Sequence, residues 1–210
     1  MVSLEGGIII NNYKKEELIQ LLESHKIWLD SLGLEGKKLV LDEVKLTEVD
    51  LIKYPLNQAY ITDCIFNNMN LINIEIYSST ICSSSFVFAN LENADFYKAN
   101  VSYANFTNAN LQNTRFAKSD CIETIFKSAN LSDAKLEAAL FENADFRNAN
   151  LHNADISEST FEKVLLKGAK LTGVRGLEEA FIKSINIGTP ERPNILIGGE
   201  ARKWLEVMSN

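Results

Sequence analysis

Apolar and polar positions along this chain keep a beat of five. From Leu41 to Leu171, in steps of five, every residue is leucine, phenylalanine, isoleucine or valine except Cys121, and these 27 units run without an insertion. Two residues earlier runs a column of small residues, among them Ala89, Ala94, Ala99, Ala104, Ala109, Ala129 and Ala144, with Ser84, Thr114, Ser119 and Thr124 interspersed. Between the two columns Asn or Asp is the commonest choice, in 12 of the 27 units, as at Asn90, Asp95, Asn110, Asn130, Asp145 and Asn150. These residue types hydrogen-bond nearby backbone at turns, so the sequence assigns them to the turn itself. Each unit then reads as small-inward, turn-forming and large-inward, followed by two outward positions, one of them Asn108, where leucine is expected to be tolerated.

A period of five suits neither a helical stripe nor a flat strand. Units that each turn a corner resolve this, and the number of sides shows up as a longer period in the choice of large residue. Leu51, Leu71, Leu91, Leu111, Leu131, Leu151 and Leu171 fall twenty apart, and so do Phe66, Phe86, Phe106, Phe126 and Phe146. Like residues recurring every fourth unit are what stacked side chains require. The sequence therefore predicts a four-sided solenoid of about seven coils, on the order of 30 Å long at the usual strand spacing.

The units read AlaAsnLeuGluAsn at 89–93, AlaAsnLeuGlnAsn at 109–113 and AlaAspPheArgAsn at 144–148. In this the chain resembles the pentapeptide-repeat family over residues 39–174. The resemblance implies an all-β solenoid, a right-handed quadrilateral β-helix, and it supplies the handedness, which periodicity alone does not. The early units depart from the pattern, with Val44, Val49, Tyr54, Cys64, Met69 and Ile74 at the small position, so the first coils should be wider or less regular.

A solenoid must cover the open backbone of its end coils. Three segments are expected: 1–38 with a capping helix, 39–175 forming the β-helix, and 176–210 as cap or tail. In the first, Leu18, Leu21, Leu22, His25, Trp28, Leu29 and Leu32 recur at helical spacing over Lys14–Leu32. In the last, Leu177–Ser184 reads as a short helix, Gly188, Pro190 and Pro193 punctuate a turn region, and Ala201–Met208 reads as a second helix. Trp204, Leu205 and Met208 on that helix are candidates to cap the last coil or to join a second copy as a homodimer.

Composition changes the picture little. No apolar run approaches a membrane span, and Gly6–Ile10 lacks the flanks of a secretion signal, so a cytoplasmic protein that meets no membrane is expected. Neither catalytic, metal nor cofactor residues are assigned. The two histidines, His25 and His152, have no partner at triad or ligand spacing; Cys64 and Cys121 fall inward and Cys82 outward without close spacing; and Gly6-Gly7 and Gly198-Gly199 lack the context of a phosphate loop.

Charge matters more. The chain carries 21 basic and 28 acidic groups, a net −7, with 8 against 14 in residues 1–100. An acidic rod repels nucleic acid and suits a basic groove. The sequence is read as a non-catalytic protein-interaction module with Ile52, Ile72, Tyr77, Tyr97, Val87 and Phe88 as candidate apolar contacts. The family resemblance implies an alternative, a DNA mimic that binds DNA gyrase, a type II topoisomerase, and protects it from inhibitors. For it the candidate acids are Glu43, Glu48, Asp50, Asp63 and Glu75.

Overall fold

The computed structural model describes residues 13–46 and 48–210, together with the backbone of Leu4–Glu5 and Ile8–Ile9, which pair antiparallel as β1 and β2. Gly6, Gly7 and Ile10, weighed above as signal or phosphate loop, lie outside the described residues.

Parallel pairing at a fixed offset of twenty residues defines the body. It runs from Val40↔Tyr60, where β3 (Val40–Asp42) meets β4 (Tyr60–Thr62), through single-residue bridges such as Asn90↔Asn110 and Asn110↔Asn130, to Asp155↔Arg175. Four five-residue sides thus make one coil. Both inward columns are shut off from solvent: Ala104, Ala134, Ala144, Phe86, Phe106 and Leu111 are each 0% exposed. Phe66, Phe86, Phe106, Phe126 and Phe146 stack with successive centroids 4.5, 4.8, 5.3 and 4.8 Å apart, and Phe96 lies edge-on to Phe86 and Phe106. Offset and edge-on ring pairs add roughly 0.5–1.5 kcal/mol each beyond burial.

The corner is not where the Asn/Asp column suggested. Those residues are the bridging, strand-like positions, and the turn falls on the next two outward residues. In a typical unit Ala89 N–H donates to Phe86 O at 3.0 Å across Val87 and Phe88. Positive φ occurs only at the second of these, between 51° and 63° at every corner from Gln58 to Lys163, which is a type II turn. The Asn/Asp side chain acts on the turn from outside it: Asn105 Oδ1 accepts from Thr107 N–H at 2.9 Å, and Asp95 Oδ1 from Tyr97 N–H at 2.9 Å. The same amides run as a ladder, Asn110 Nδ2 donating to Asn90 Oδ1 and Asn150 Nδ2 to Asn130 Oδ1, both at 2.9 Å. One consequence is that leucine at Asn108, whose φ is 59°, occupies a left-handed corner and costs stability there, contrary to the tolerance expected of a freely outward position.

The first coils are less regular, as their bulky small-column residues imply. A 3-10 turn at Leu51–Lys53 interrupts bridging on that side, and Pro55 next to it has no N–H to give.

At the C-terminal end the fold differs from the expected short helix over Leu177–Ser184. Parallel pairing continues there instead, at an offset of twenty-one. β5 (Leu140–Glu142) pairs with β6 (Thr160–Glu162), which pairs with β8 (Phe181–Ile182), while β7 (Val164–Leu165) pairs with β9 (Ser184–Asn186). One additional residue after Arg175, in the turn around Gly176, accounts for the new offset; the inward column then resumes at Ile182. β10 (Ile195–Ile197) adds antiparallel to β9, and α2 (Gly199–Ser209) lies across the end of the core. Leu205 is 3% exposed and faces Leu151, Ile156, Phe161 and Leu171. Arg202 donates to the carbonyls of Leu177 and Ala180, and Gly173 N–H donates to Ser209 O at 2.7 Å.

At the other end α1 (Lys15–Asp30) buries Leu18, Leu22 and His25 against the first coil, and Leu32 projects into solvent.

Candidate interaction surface

The described residues contain no group of three or more metal-ligating side chains and no helix long and apolar enough to cross a membrane. Cys64 and Cys121 are buried, and desolvation pushes each thiol up to about 12, so neither offers a thiolate at neutral pH. What the body presents is its corners.

The twenty-residue register decides which candidates meet. Ile52 and Ile72 share a corner, Ile52 exposed and Ile72 half-buried. Tyr77 and Tyr97 share another. The Tyr97 ring is covered from within the chain: the Arg115 guanidinium lies 4.5 Å from its centroid and is itself held by Asp95 through bonds of 2.8 and 2.6 Å. Val87 is half-buried, its N–H taken by Asn67 Oδ1. Phe88 is 59% exposed.

Phe88 is unusual in a second respect. Its φ is 58°, in a column where Asn68, Asn73, Asn93, Asn108, Asn113, Asn143, Asn148 and Asn153 hold the same left-handed corner. Tyr103, which the sequence reading passed over, repeats the case with φ 63° and 55% exposure. A bulky side chain in this conformation is strained by roughly 1–2 kcal/mol, and with more than half of each ring exposed burial offsets only part of it. The signal was present in the sequence as aromatic residues in a column otherwise filled by small, polar or charged ones. It could be seen only once the turn had been located on that column.

The acids divide differently. Glu43 and Asp63 stack on one corner, Glu43 N–H donating to Thr62 O. Glu48, Asp50 and Glu75 stand on other sides; Asp50 pairs with Lys53 at 3.3 Å and Glu75 accepts from Asn57 Nδ2 at 2.9 Å. The corner of Glu43 and Asp63 continues down the rod through Asp42, Glu123, Glu142 and Glu162, and its basic residues, Lys163 and Lys183, stand at the lower end. Thr62 Oγ1 donates to Asp42 Oδ1, and Lys183 closes the lower end at 2.8 Å from Glu162. The corner one side on carries Lys127, Arg147 and Lys167 instead, with Arg147 held by Asp145 at 2.6 Å. Charge is thus sorted by corner as well as by half.

At the tail, Leu205 is buried and Trp204 half-buried against the core, whereas Met208 is 41% exposed and lies outside the contact made by its two neighbours.

Residues 104–175 match the family model "Pentapeptide repeat region" and residues 80–113 the model "Pentapeptide repeats (8 copies)". Among curated proteins, none matches the chain. Solved structures similar to it include HetL of the cyanobacterium Nostoc sp. strain PCC 7120, described as involved in heterocyst differentiation regulation, at 17% identity, 84% of this chain, 98% of that one and a TM-score of 0.34. A trypsin-treated variant of QnrB1, a plasmid-mediated fluoroquinolone resistance protein, aligns at 18% identity over 70% of this chain and 78% of its own, TM-score 0.34. A pentapeptide-repeat protein of the Arabidopsis thaliana thylakoid lumen aligns at 18% over 72% and 90%, TM-score 0.36. Likeness of this degree transfers no function. Periodicity, the twenty-residue ladder and the two family models agree that residues 80–175 of this chain are pentapeptide repeats.

Proposed function

We propose that the chain is a non-catalytic protein-interaction module, a right-handed quadrilateral rod over 39–175 flanked by capping segments 1–38 and 176–210, and that Phe88 and Tyr103 are central to its partner surface. The observation that carries this is their double cost: both aromatic rings are exposed and both sit in the left-handed region, so neither core packing nor local backbone preference accounts for them. Strain retained without a structural return points to use. Ile52, Ile72 and Val87 would extend the apolar contact, whereas Tyr77 and Tyr97 are weaker candidates because the chain already covers the Tyr97 ring.

The test separates stability from binding. The double variant Phe88→Asn, Tyr103→Asn should be more stable than the wild type by up to about 1 kcal/mol per site, since asparagine suits this conformation. It should also lose the proteins that the wild-type rod captures from its source cell. A double variant that is no more stable and captures the same proteins removes the reading.

A second reading is favoured by the acidic corner: a DNA mimic that engages a type II topoisomerase such as gyrase through Asp42, Glu43, Asp63, Glu123 and Glu142. Of the acids first considered, Glu43 and Asp63 belong to that line, and Glu48, Asp50 and Glu75 do not. Lysine at Glu43, Asp63, Glu123 and Glu142 together should abolish any effect on supercoiling by purified gyrase. No effect of the unaltered protein at micromolar concentration excludes this reading.

A further inference from the structure

The chain has one fully buried histidine, and it sits where the N-terminal helix meets the rod. His25 is 0% exposed. Its Nδ1 accepts the Leu39 N–H at 3.0 Å and its Nε2 faces the Asn57 carbonyl at 3.1 Å. A backbone N–H can only donate, so Nδ1 carries no proton and Nε2–H is the donor to Asn57. The ring is thus the neutral imidazole in one tautomer, bridging α1 to the start of the first coil through Leu39 and to its last side through Asn57. Trp28 stacks beside it with centroids 5.8 Å apart.

A proton has no place in this arrangement. At Nδ1 it would set N–H against N–H at hydrogen-bond distance, inside a site closed to water. The charged groups nearby offer no relief: Lys38, whose Nζ lies 6.0 Å from the Trp28 ring, opposes a second positive charge. Glu75 is occupied with the Asn57 side chain, and Glu23 of α1 is turned to Tyr54. No carboxylate among the described residues bonds to the ring.

We propose that His25 is an acid-operated latch, whose protonation releases α1 and uncovers the buried end of the first coil at Leu39 and Leu41. Burial, opposed only in part by the bond to Asn57, depresses the affinity of the closed form for a proton. The opened form takes up the proton near the ordinary histidine value, about 6.5. Closure is therefore fully stable above that value and weakens as pH falls through it. The rest of the body has no equivalent, because His152, the other histidine, stands at an exposed corner.

Native-state hydrogen exchange on the full chain measures the opening directly. Corrected for intrinsic rates, the opening constant of amides from Leu22 to Leu29 should rise about tenfold between pH 7.5 and 5.5, the ratio set by a free histidine of pKa about 6.5. Amides of the central coils, such as Phe106 and Phe116, should not change. In an NMR titration of the same protein, the His25 ring in the closed form should stay neutral across this range. An opening constant equal at the two pH values, or a His25 ring that titrates normally while α1 stays protected, overturns the latch. Neither measurement depends on a variant, and His25→Gln, where it folds, should show exchange in α1 that no longer depends on pH.

Discussion

Between Ile81 and Ile156 the rod uses one solution repeatedly, and at its two ends it uses two different ones. In the middle, each coil contributes the same small column, the same stacked ring or leucine, and the same type II corner braced by an Asn or Asp. The N-terminal end is closed by a helix whose contact is part apolar and part a single histidine bonded to the first coil at two points. The C-terminal end is closed by further strands, one of them antiparallel, and by a helix that drives Leu205 into the open core. The contrast shows that repetition supplies stability only where there is a next coil to stack on; a terminal coil needs chemistry of its own.

Removing the tail should expose this difference most strongly. Deletion from Gly198 takes away Leu205 and Trp204, at roughly 1.5–3 kcal/mol each if fully buried. Because each coil contacts only its neighbours, exchange protection should fall over 160–186 and stay unchanged over 96–136. Equal loss along the whole rod would mean that ends and middle form one cooperative unit. The same deletion tests the proposed homodimer, since light scattering should then report a smaller species if the tail joins two copies.

Overpacking the middle comes next. Ala109→Leu places a large side chain in the closed small column and should cost about 1–3 kcal/mol in denaturant melts. Asn110→Ala removes one turn brace and two bonds of the ladder, to Asn90 and from Asn130, an expected loss of about 1 kcal/mol or more. Asn108→Leu, which buries nothing and only strains a corner, should cost about 1 kcal/mol or less. If Asn108→Leu proved as damaging as Ala109→Leu, the inward and outward columns would be wrongly assigned.

Much of this was legible before any coordinates. The five-residue beat gave the inward columns, and the twenty-residue beat gave the number of sides and the phenylalanine stack, because both follow from which residues are apolar. The corner was harder to place. Asn and Asp suit turns, yet here they brace the turn from the strand side, so the strained column lies three positions further on, where Tyr103 stands. Continuation of the ladder beyond Arg175 is hidden for another reason: a single added residue shifts the offset to twenty-one, so the small column resumes out of step at Ala180 and is then filled by the bulkier Ile185. The gathering of acids on one corner required counting in twenties, whereas the sequence reading had counted them in halves.

The ladder's fixed step also governs how such a chain can change length. Adding or removing twenty residues returns each later side chain to its own column, ring over ring and amide over amide. A change of five would keep apolar residues inward but turn everything downstream by a quarter, setting phenylalanine over leucine, breaking the run of asparagine amides and carrying the acidic corner onto the next side. Duplication within the gene is therefore tolerated in whole coils, so the rod can be lengthened to fit a longer partner without disturbing the edge it presents.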